Sequence, residues 1–183
     1  LYYNAKSGNC YSGQSNATKA CNFTSTGIKN ATTRNLISDT IYYLGGHNSF
    51  SVYPNQIYEK ERGTTVYSGR PTEWTGKIAL AYPSDYGYAA DLGKCSQNLN
   101  NYNNSTCTSN NWMKAIVAPN YGWLLTPRSG IASNVWYVYS SGGVYYNSYV
   151  YNAYGVAPVL FLNSDANVKS GTGTSSDPYQ ISV

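Results

Sequence analysis

Charge is scarce in this chain of 183 residues. Asp, Glu, Lys and Arg make up 11% of it, against roughly 25% in ordinary soluble domains, so solubility has to come from neutral polar groups. The twelve Lys and Arg residues are scattered from Lys6 to Lys169 without a run. The concentrated basic stripe that nucleic acid needs is missing, and nucleic acid is not an expected partner despite the net charge of +4. Histidine occurs once, as His47. It follows the Gly45-Gly46 pair and reads as a capping or solvent-facing residue, so no Ser/His/Asp or Cys/His arrangement finds support. No CxxC spacing occurs, and with one histidine a zinc ligand set does not assemble; no metal or cofactor is expected. GxGxxG and P-loop patterns are absent, since Gly171-Thr-Gly173 lacks the required setting. The longest apolar run, Val156 to Leu162, is interrupted by Pro158 and falls far short of the roughly 20 residues of a membrane-spanning helix.

What fills the space is tyrosine and asparagine, 21 of each. The thirty-six residues from Ser129 to Ser164 contain no ionisable acid or base. The centre of the stretch, 134–154, is built from Tyr, Asn, Ser and Gly with recurring valines. Tyr gives large amphipathic contact area at low entropic cost, and Ser, Gly and Asn give adaptable hydrogen bonding, as in recognition surfaces. The plainer reading is an ordinary antiparallel sheet, because Tyr and Val also favour strands.

The length suits a single domain with a lead-in. The four cysteines fall as two local pairs, Cys10 with Cys21 and Cys95 with Cys107. Local pairing is expected, because each pair encloses a short, turn-rich polar loop whose closure contributes about 2–3 kcal/mol. Disulfides imply an oxidising, extracellular setting. The chain begins at Leu1 rather than Met, which reads as a processed or trimmed product that has lost any targeting or anchoring segment. Five Asn-x-Ser/Thr acceptors, at Asn16, Asn22, Asn30, Asn103 and Asn104, are read as chance products of an Asn-rich chain.

Periodicity gives a coarse map. Residues 1–46 read as a Cys-stapled loop followed by a helix over Ile28 to Leu44, with Leu36, Ile37, Thr40, Ile41 and Leu44 on one face. Thr32 or Thr33 would cap it and Gly45-Gly46 would stop it. Glu59-Lys60-Glu61-Arg62 reads as a solvated turn. Strands are expected at Thr64 to Tyr67, around Trp74 to Tyr82, and at Trp123 to Thr126. Ser84 and Asp85 would cap a short helix over Tyr86 to Leu92. Val156 to Leu162 reads as a central strand, and Tyr179 to Val183 as a last strand pairing back into the sheet. The total is an α+β domain with about two helices and six to eight strands.

Within the charge-free stretch, Val135 to Tyr139 and Val144 to Tyr151 read as a hairpin turning through Ser140-Ser-Gly-Gly143. Alternation buries Trp136, Val138, Val144 and Val150. It exposes Tyr137, Tyr139, Tyr145, Asn147, Tyr149 and Tyr151, barring a bulge that would swap part of the set. Such an uncharged aromatic patch is larger than a monomer usually displays without reason. None of the eight acids falls inside this segment. Asp85 with Asp91, or Asp165 with Asp177, could in principle serve the paired-carboxylate chemistry of a polysaccharide hydrolase, but no enzyme is expected.

Three stretches carry a family likeness. They are Glu61-Arg-Gly-Thr-Thr-Val-Tyr-Ser-Gly-Arg70; Trp74-Thr-Gly-Lys-Ile-Ala-Leu-Ala-Tyr-Pro-Ser-Asp-Tyr-Gly-Tyr-Ala89; and Trp123-Leu-Leu-Thr-Pro127 leading to Gly155-Val-Ala-Pro-Val-Leu-Phe-Leu162 and Gly171-Thr-Gly-Thr-Ser-Ser-Asp-Pro-Tyr179. Together they resemble bacterial surface proteins that begin with a type IV prepilin-like signal helix. The C-terminal half also resembles C-type-lectin-fold domains, including the variable proteins of diversity-generating retroelements. The resemblance implies a C-type-lectin-like core over 60–183 with long disulfide-stapled loops. It also implies a display hairpin at 134–154 whose variable positions would be Tyr137, Tyr139, Tyr145, Tyr146, Asn147, Ser148, Tyr149, Tyr151, Asn152 and Tyr154. The chain departs from the family at Ala157, where an Arg usually precedes the proline. It also departs in lacking the prepilin helix, through which alone a membrane would be a partner.

The leading expectation is therefore a non-enzymatic adhesin-like domain at the cell surface, associated with a pilus. It would bind a protein or glycan on another cell, phage or host surface, through Tyr137, Tyr139, Tyr145, Tyr146, Asn147, Tyr149, Tyr151, Asn152 and Tyr154. The second is a structural subunit that packs against other pilus subunits through its Tyr-rich sheet. The third is a polysaccharide-active enzyme.

Overall fold

The computed structural model describes residues 28–174 and 176–182. The expected Cys10–Cys21 pairing, the stapled loop around it and the acceptors at Asn16 and Asn22 lie outside these residues.

The helix expected from Ile28 to Leu44 divides in two. α1 covers only Ala31–Asn35, and its cap is Asn30 rather than a threonine, with Oδ1 accepting from the Thr33 N–H at 3.1 Å. β1 then forms at Thr40–Tyr43, because β-branched and aromatic residues prefer a strand when a partner is at hand. That partner is β2, Glu73–Gly76, in antiparallel register. Ile41, on the expected apolar helix face, is exposed, and Tyr42 is buried in its place.

The supposed solvated turn is the end of α2, Pro54–Glu61, with Pro54 in the first turn where a missing N–H leaves nothing unpaired. Ile57 and Glu61, one turn apart, both face inward and are fully buried. No strand forms over 64–67. β3, Ile78–Leu80, leads into α3, Pro83–Tyr88, where Asp85 Oδ2 accepts from the Tyr82 N–H at 2.9 Å. A 3-10 turn at Leu99–Asn101, α4 at Ser105–Ser109 and α5 at Lys114–Val117 follow. The Asn/Ser-rich loop among them is closed by the expected Cys95–Cys107 disulfide, with Cα atoms 4.8 Å apart.

β4, Gly122–Pro127, β5, Asn134–Val138, and β6, Val144–Tyr149, make a three-stranded antiparallel sheet in sequence order. β7, Pro158–Leu160, pairs with β3. β8, Asn167–Ser170, pairs with β9, Gln180–Ser182. The described residues thus form five short α-helices and four small antiparallel sheets of two, two, three and two strands, none of them closed. This overturns the expected C-type-lectin-like fold with a mainly antiparallel sheet and about two helices; what stands is an α+β chain whose strands pair antiparallel in four small sheets. Pro127 ends β4 and Pro158 begins β7, each removing a ladder donor at a strand limit.

The run Val156 to Leu162 is not a central strand. β7 sits at an edge, and Val156, Leu160, Phe161 and Leu162 are all exposed. The last strand pairs with β8 in a separate hairpin, not back into the main sheet.

The β4 and β5 strands of the three-stranded sheet are covered on both faces. Leu124, Trp136, Val138, Val144 and Tyr146 join a first core with Ile57, Tyr86, Leu99, Tyr102 and the disulfide. Trp123, Leu125, Val135 and Tyr137 join a second core with Tyr42, Leu44, Leu80 and Tyr82. All five residues of β5 are buried in consequence. The alternation reading assumed one wet face, and for this reason Tyr137, expected to be exposed, is buried.

Candidate functional site

One end of the second core opens to solvent as a cluster of aromatic rings. Side chains two residues apart share a strand face, which puts Tyr121 beside Trp123 and Tyr137 beside Tyr139, with Tyr145 across on β6. Tyr154 arrives from the loop after β6. Its neighbour Gly155 is bridged to the start of β4: Trp123 N–H donates to Gly155 O at 2.9 Å, and Gly155 N–H donates to Tyr121 O at 2.8 Å. This anchor lays the Tyr154 ring on Tyr121, with centroids 4.8 Å apart, and sets it 4.5 Å from the Trp123 ring. Tyr139 meets Tyr121 edge-on at 4.6 Å, and Tyr145 stands 5.9 Å from Tyr139. Well-oriented aromatic pairs contribute about 0.5–1.5 kcal/mol beyond their buried area, so the cluster is a stiff surface.

Gly122 makes the close approach beneath it possible. A Cβ at this position would stand 1.8 Å from the Val117 carbonyl oxygen, so only glycine lets β4 lie against the end of α5.

The cluster keeps polar handles. Tyr137 donates its hydroxyl to Asn147 Oδ1 at 3.2 Å, and Tyr145 donates to Asn100 O at 3.3 Å. A hydrogen bond with Tyr139, followed by burial, raises the Tyr121 hydroxyl above its ordinary value. Burial, reinforced by the neighbouring Tyr154, raises that of Tyr137. Both hydroxyls are therefore neutral at physiological pH and able to donate and accept.

The expected site residues divide by position. Tyr139, Tyr145 and Tyr154 form the accessible part of the cluster, while Tyr137, 6% exposed, forms its floor. Asn147 and Tyr149 face outward on β6, and Tyr149 stacks on Tyr151 at 5.1 Å. Tyr146 points the other way: it is buried, stacked on Phe50 at 4.1 Å, with the Arg128 guanidinium 4.6 Å above its ring. Asn152 is half-buried and donates to Ser148 Oγ at 2.9 Å, and Ser148 is itself buried.

Tyr121 is the residue that attention to the charge-free segment misses, because it precedes Ser129. The available signal was the pair Tyr121 and Trp123, spaced by two like Tyr137 and Tyr139. His47 is neither a cap nor free in solvent. It is half-buried with its ring 6.3 Å from that of Trp136, and burial, then Lys60, lowers its pKa. Asp85 caps α3 and Asp91 pairs with Lys94 at 3.4 Å.

Among the described residues no group of three or more His, Cys, Asp and Glu is placed to hold a metal ion, and no helix is long and apolar enough to cross a membrane. No family profile, curated protein or solved structure matches the chain.

Proposed function

We propose that this chain is a non-enzymatic, extracellular ligand-binding domain of a pilin-like surface protein, and that it engages a protein or glycan through its tyrosine cluster. The observation that carries the reading is the joint packing and exposure of Tyr121, Tyr139, Tyr145 and Tyr154. Three of these rings are half-buried and Tyr139 is 38% exposed, and each touches at least one other ring of the set. A ring face held in place by its neighbours offers contact area with little ordering cost on binding. The hydroxyls and Asn147 supply directional bonds, which suits both sugars and peptide surfaces. Tyr149 and Tyr151 extend the same character along the edge strand.

Glycan and cell-surface-protein arrays probed with the chain test this. Alanine at Tyr139, Tyr145 and Tyr149 should abolish a detected signal while leaving the melting transition in place. Retained binding in the triple variant would sink the proposal.

A structural subunit of a fibre is the second reading, supported by the open edges. Every residue of β8 is exposed, and Phe161 and Val168 stand out at 54% and 61%. An exposed edge strand presents unpaired backbone groups that can pair with another chain. Concentration-dependent assembly in sedimentation, abolished by Val168→Lys, favours this reading over the first.

A further inference from the structure

The rings of the tyrosine cluster have two different supports. Tyr121 and Tyr154 are fixed by the Gly155 bridge to β4. Tyr139 and Tyr145 stand at the turn end of the β5–β6 hairpin, and that end leans on the loop closed by Cys95 and Cys107. The turn sets Tyr139 directly: its N–H donates to Gly143 O, and its carbonyl accepts from the Gly142 N–H, both at 2.8 Å. A Cβ at Gly143 would stand 2.8 Å from Asn100 O, and one at Gly142 would stand 3.1 Å from Tyr102 O. Glycine at both positions lets the loop press two backbone carbonyls against the turn. Asn100 O also accepts the Tyr145 hydroxyl at 3.3 Å.

No ladder holds the loop, 96–106, in this position. Among the described residues, its hydrogen bonds to distant parts of the chain are Leu99 N–H to Val52 O at 2.9 Å, the Tyr102 hydroxyl to Gly87 O at 3.2 Å, and the Tyr145 contact. Leu99 and Tyr102 are its only buried residues. Two side-chain acceptors of the loop, Asn98 Oδ1 and Asn100 Oδ1, are buried without a donor among the described residues, which favours movement of the loop toward water. The disulfide opposes that movement by tying the two ends of the loop, with Cα atoms 4.8 Å apart. The hairpin has an anchor of its own, since the buried Tyr86 donates its hydroxyl to Gly142 O at 3.1 Å.

We infer that the Cys95–Cys107 disulfide is a redox device that completes the tyrosine face. Before oxidation the chain folds with Tyr121 and Tyr154 in place, while Tyr139 and Tyr145 lack their support. Two electrons and two protons pass from the cysteine thiols to a disulfide oxidant, which leaves as a dithiol, and the S–S bond that forms locks the second pair of rings. The face is then complete only in an oxidising setting. The functional consequence rests on the cluster being the ligand surface, whereas the lock itself is read from the rings alone.

Fluorine spectra of the 183-residue chain made with 3-fluorotyrosine test the lock, with the signals of Tyr139, Tyr145, Tyr149 and Tyr154 assigned by single Phe replacements. The oxidised wild type is compared, well below its melting transition, with the Cys95→Ala, Cys107→Ala double variant, which retains Cys10 and Cys21. The variant is expected to show shifted or broadened signals for Tyr139 and Tyr145 and to keep those of Tyr149 and Tyr154. Wild type refolded in dithiothreitol is expected to match the variant, and oxidised glutathione to restore both signals in the wild type alone. Unchanged Tyr139 and Tyr145 signals in the variant overturn the inference. A similar change in all four signals, or their collapse to unfolded positions, also overturns it, because the disulfide then serves the whole fold. Failure to detect any ligand on arrays leaves these outcomes as they are and counts against the ligand surface only.

Discussion

Tyr154 lies on Tyr121 with 4.8 Å between ring centroids and 17° between ring planes. The Gly155 bridge to β4 sets this geometry, so the stack is a product of backbone pairing rather than of chance contact. Tyr154→Phe keeps the ring and should alter stability by less than about 0.5 kcal/mol. Tyr154→Ala removes contacts with Tyr121, Trp123 and Tyr137 together. It should reduce the unfolding free energy by about 1–3 kcal/mol, read from urea denaturation.

The division between floor and surface predicts opposite phenotypes for two tyrosines spaced by two. Tyr137→Ala deletes a side chain that is 6% exposed and should destabilise the domain by about 3–5 kcal/mol. Tyr139→Ala, at an exposed rim, should cost less than about 1 kcal/mol while removing ligand affinity. Equal melting temperatures for the two variants would show that the floor assignment is wrong.

The features legible in the sequence are those with a local cause. The hairpin follows from glycines at its turn, where Gly142 takes φ 101°, and from the valines flanking them. The strand at Trp123 follows from its apolar run, and the Cys95–Cys107 link from its spacing. What sequence does not reveal is the number of covered faces. Residues of both parities are buried along β5 because helices cover one face and the β1, β2 and β3 strands the other, a fact no alternation pattern contains. The same blindness turned Thr40 to Tyr43 into helix, since its strand partner lies thirty or more positions away. Glu61 sits in a polar run whose only inward hint is Ile57, four residues earlier. Within the candidate site, Tyr139, Tyr145 and Tyr154 were readable from composition, and Tyr121 only from its spacing to Trp123.

Glu61 gives stability a pH dependence of uncommon sign. It accepts from Ser84 N at 3.0 Å, from Ser84 Oγ and from Thr126 Oγ1 at 3.4 Å. Burial raises its pKa to about 8 from an ordinary 4.5, against the opposing effect of the Ser84 bonds. The contribution is complete below the unfolded value, where both states hold the proton. Between the two values the unfolded chain releases a proton that the folded protein keeps, so stability falls as pH rises, by at most about 1.4 kcal/mol per unit. The loss ends above the folded value. Glu61→Gln retains an acceptor for Ser84 and cannot ionise. Melting temperatures at pH 5, 7 and 9 should decline more for the wild type than for the variant, and parallel curves would refute the assignment.

Cys95 and Cys107 are each 1% exposed and belong to the first core beside Leu99 and Tyr102. Their removal as the Cys95→Ser, Cys107→Ser double variant should lower the unfolding free energy by about 2–4 kcal/mol. A reductant should lower the wild type's transition by more than it lowers that of the variant, which retains Cys10 and Cys21.

Gly122→Ala places a methyl group against the Val117 carbonyl oxygen, a backbone atom that cannot rotate away. The expected loss is about 3 kcal/mol or more. The displacement of β4 should also disturb the Tyr121 and Tyr154 rings, so ligand binding should weaken although no surface side chain has changed. Near-wild-type stability in this variant would show that α5 and β4 separate freely.

Trp123 is enclosed by tyrosine rings, with Tyr154 at 4.5 Å and Tyr137 at 6.3 Å. Light absorbed by those phenols is passed to the indole over such short separations, so the cluster emits largely as one chromophore. A molecule settling on Tyr121, Tyr139 or Tyr154 changes the surroundings of that emitter, and its arrival can be followed by intrinsic fluorescence without a label.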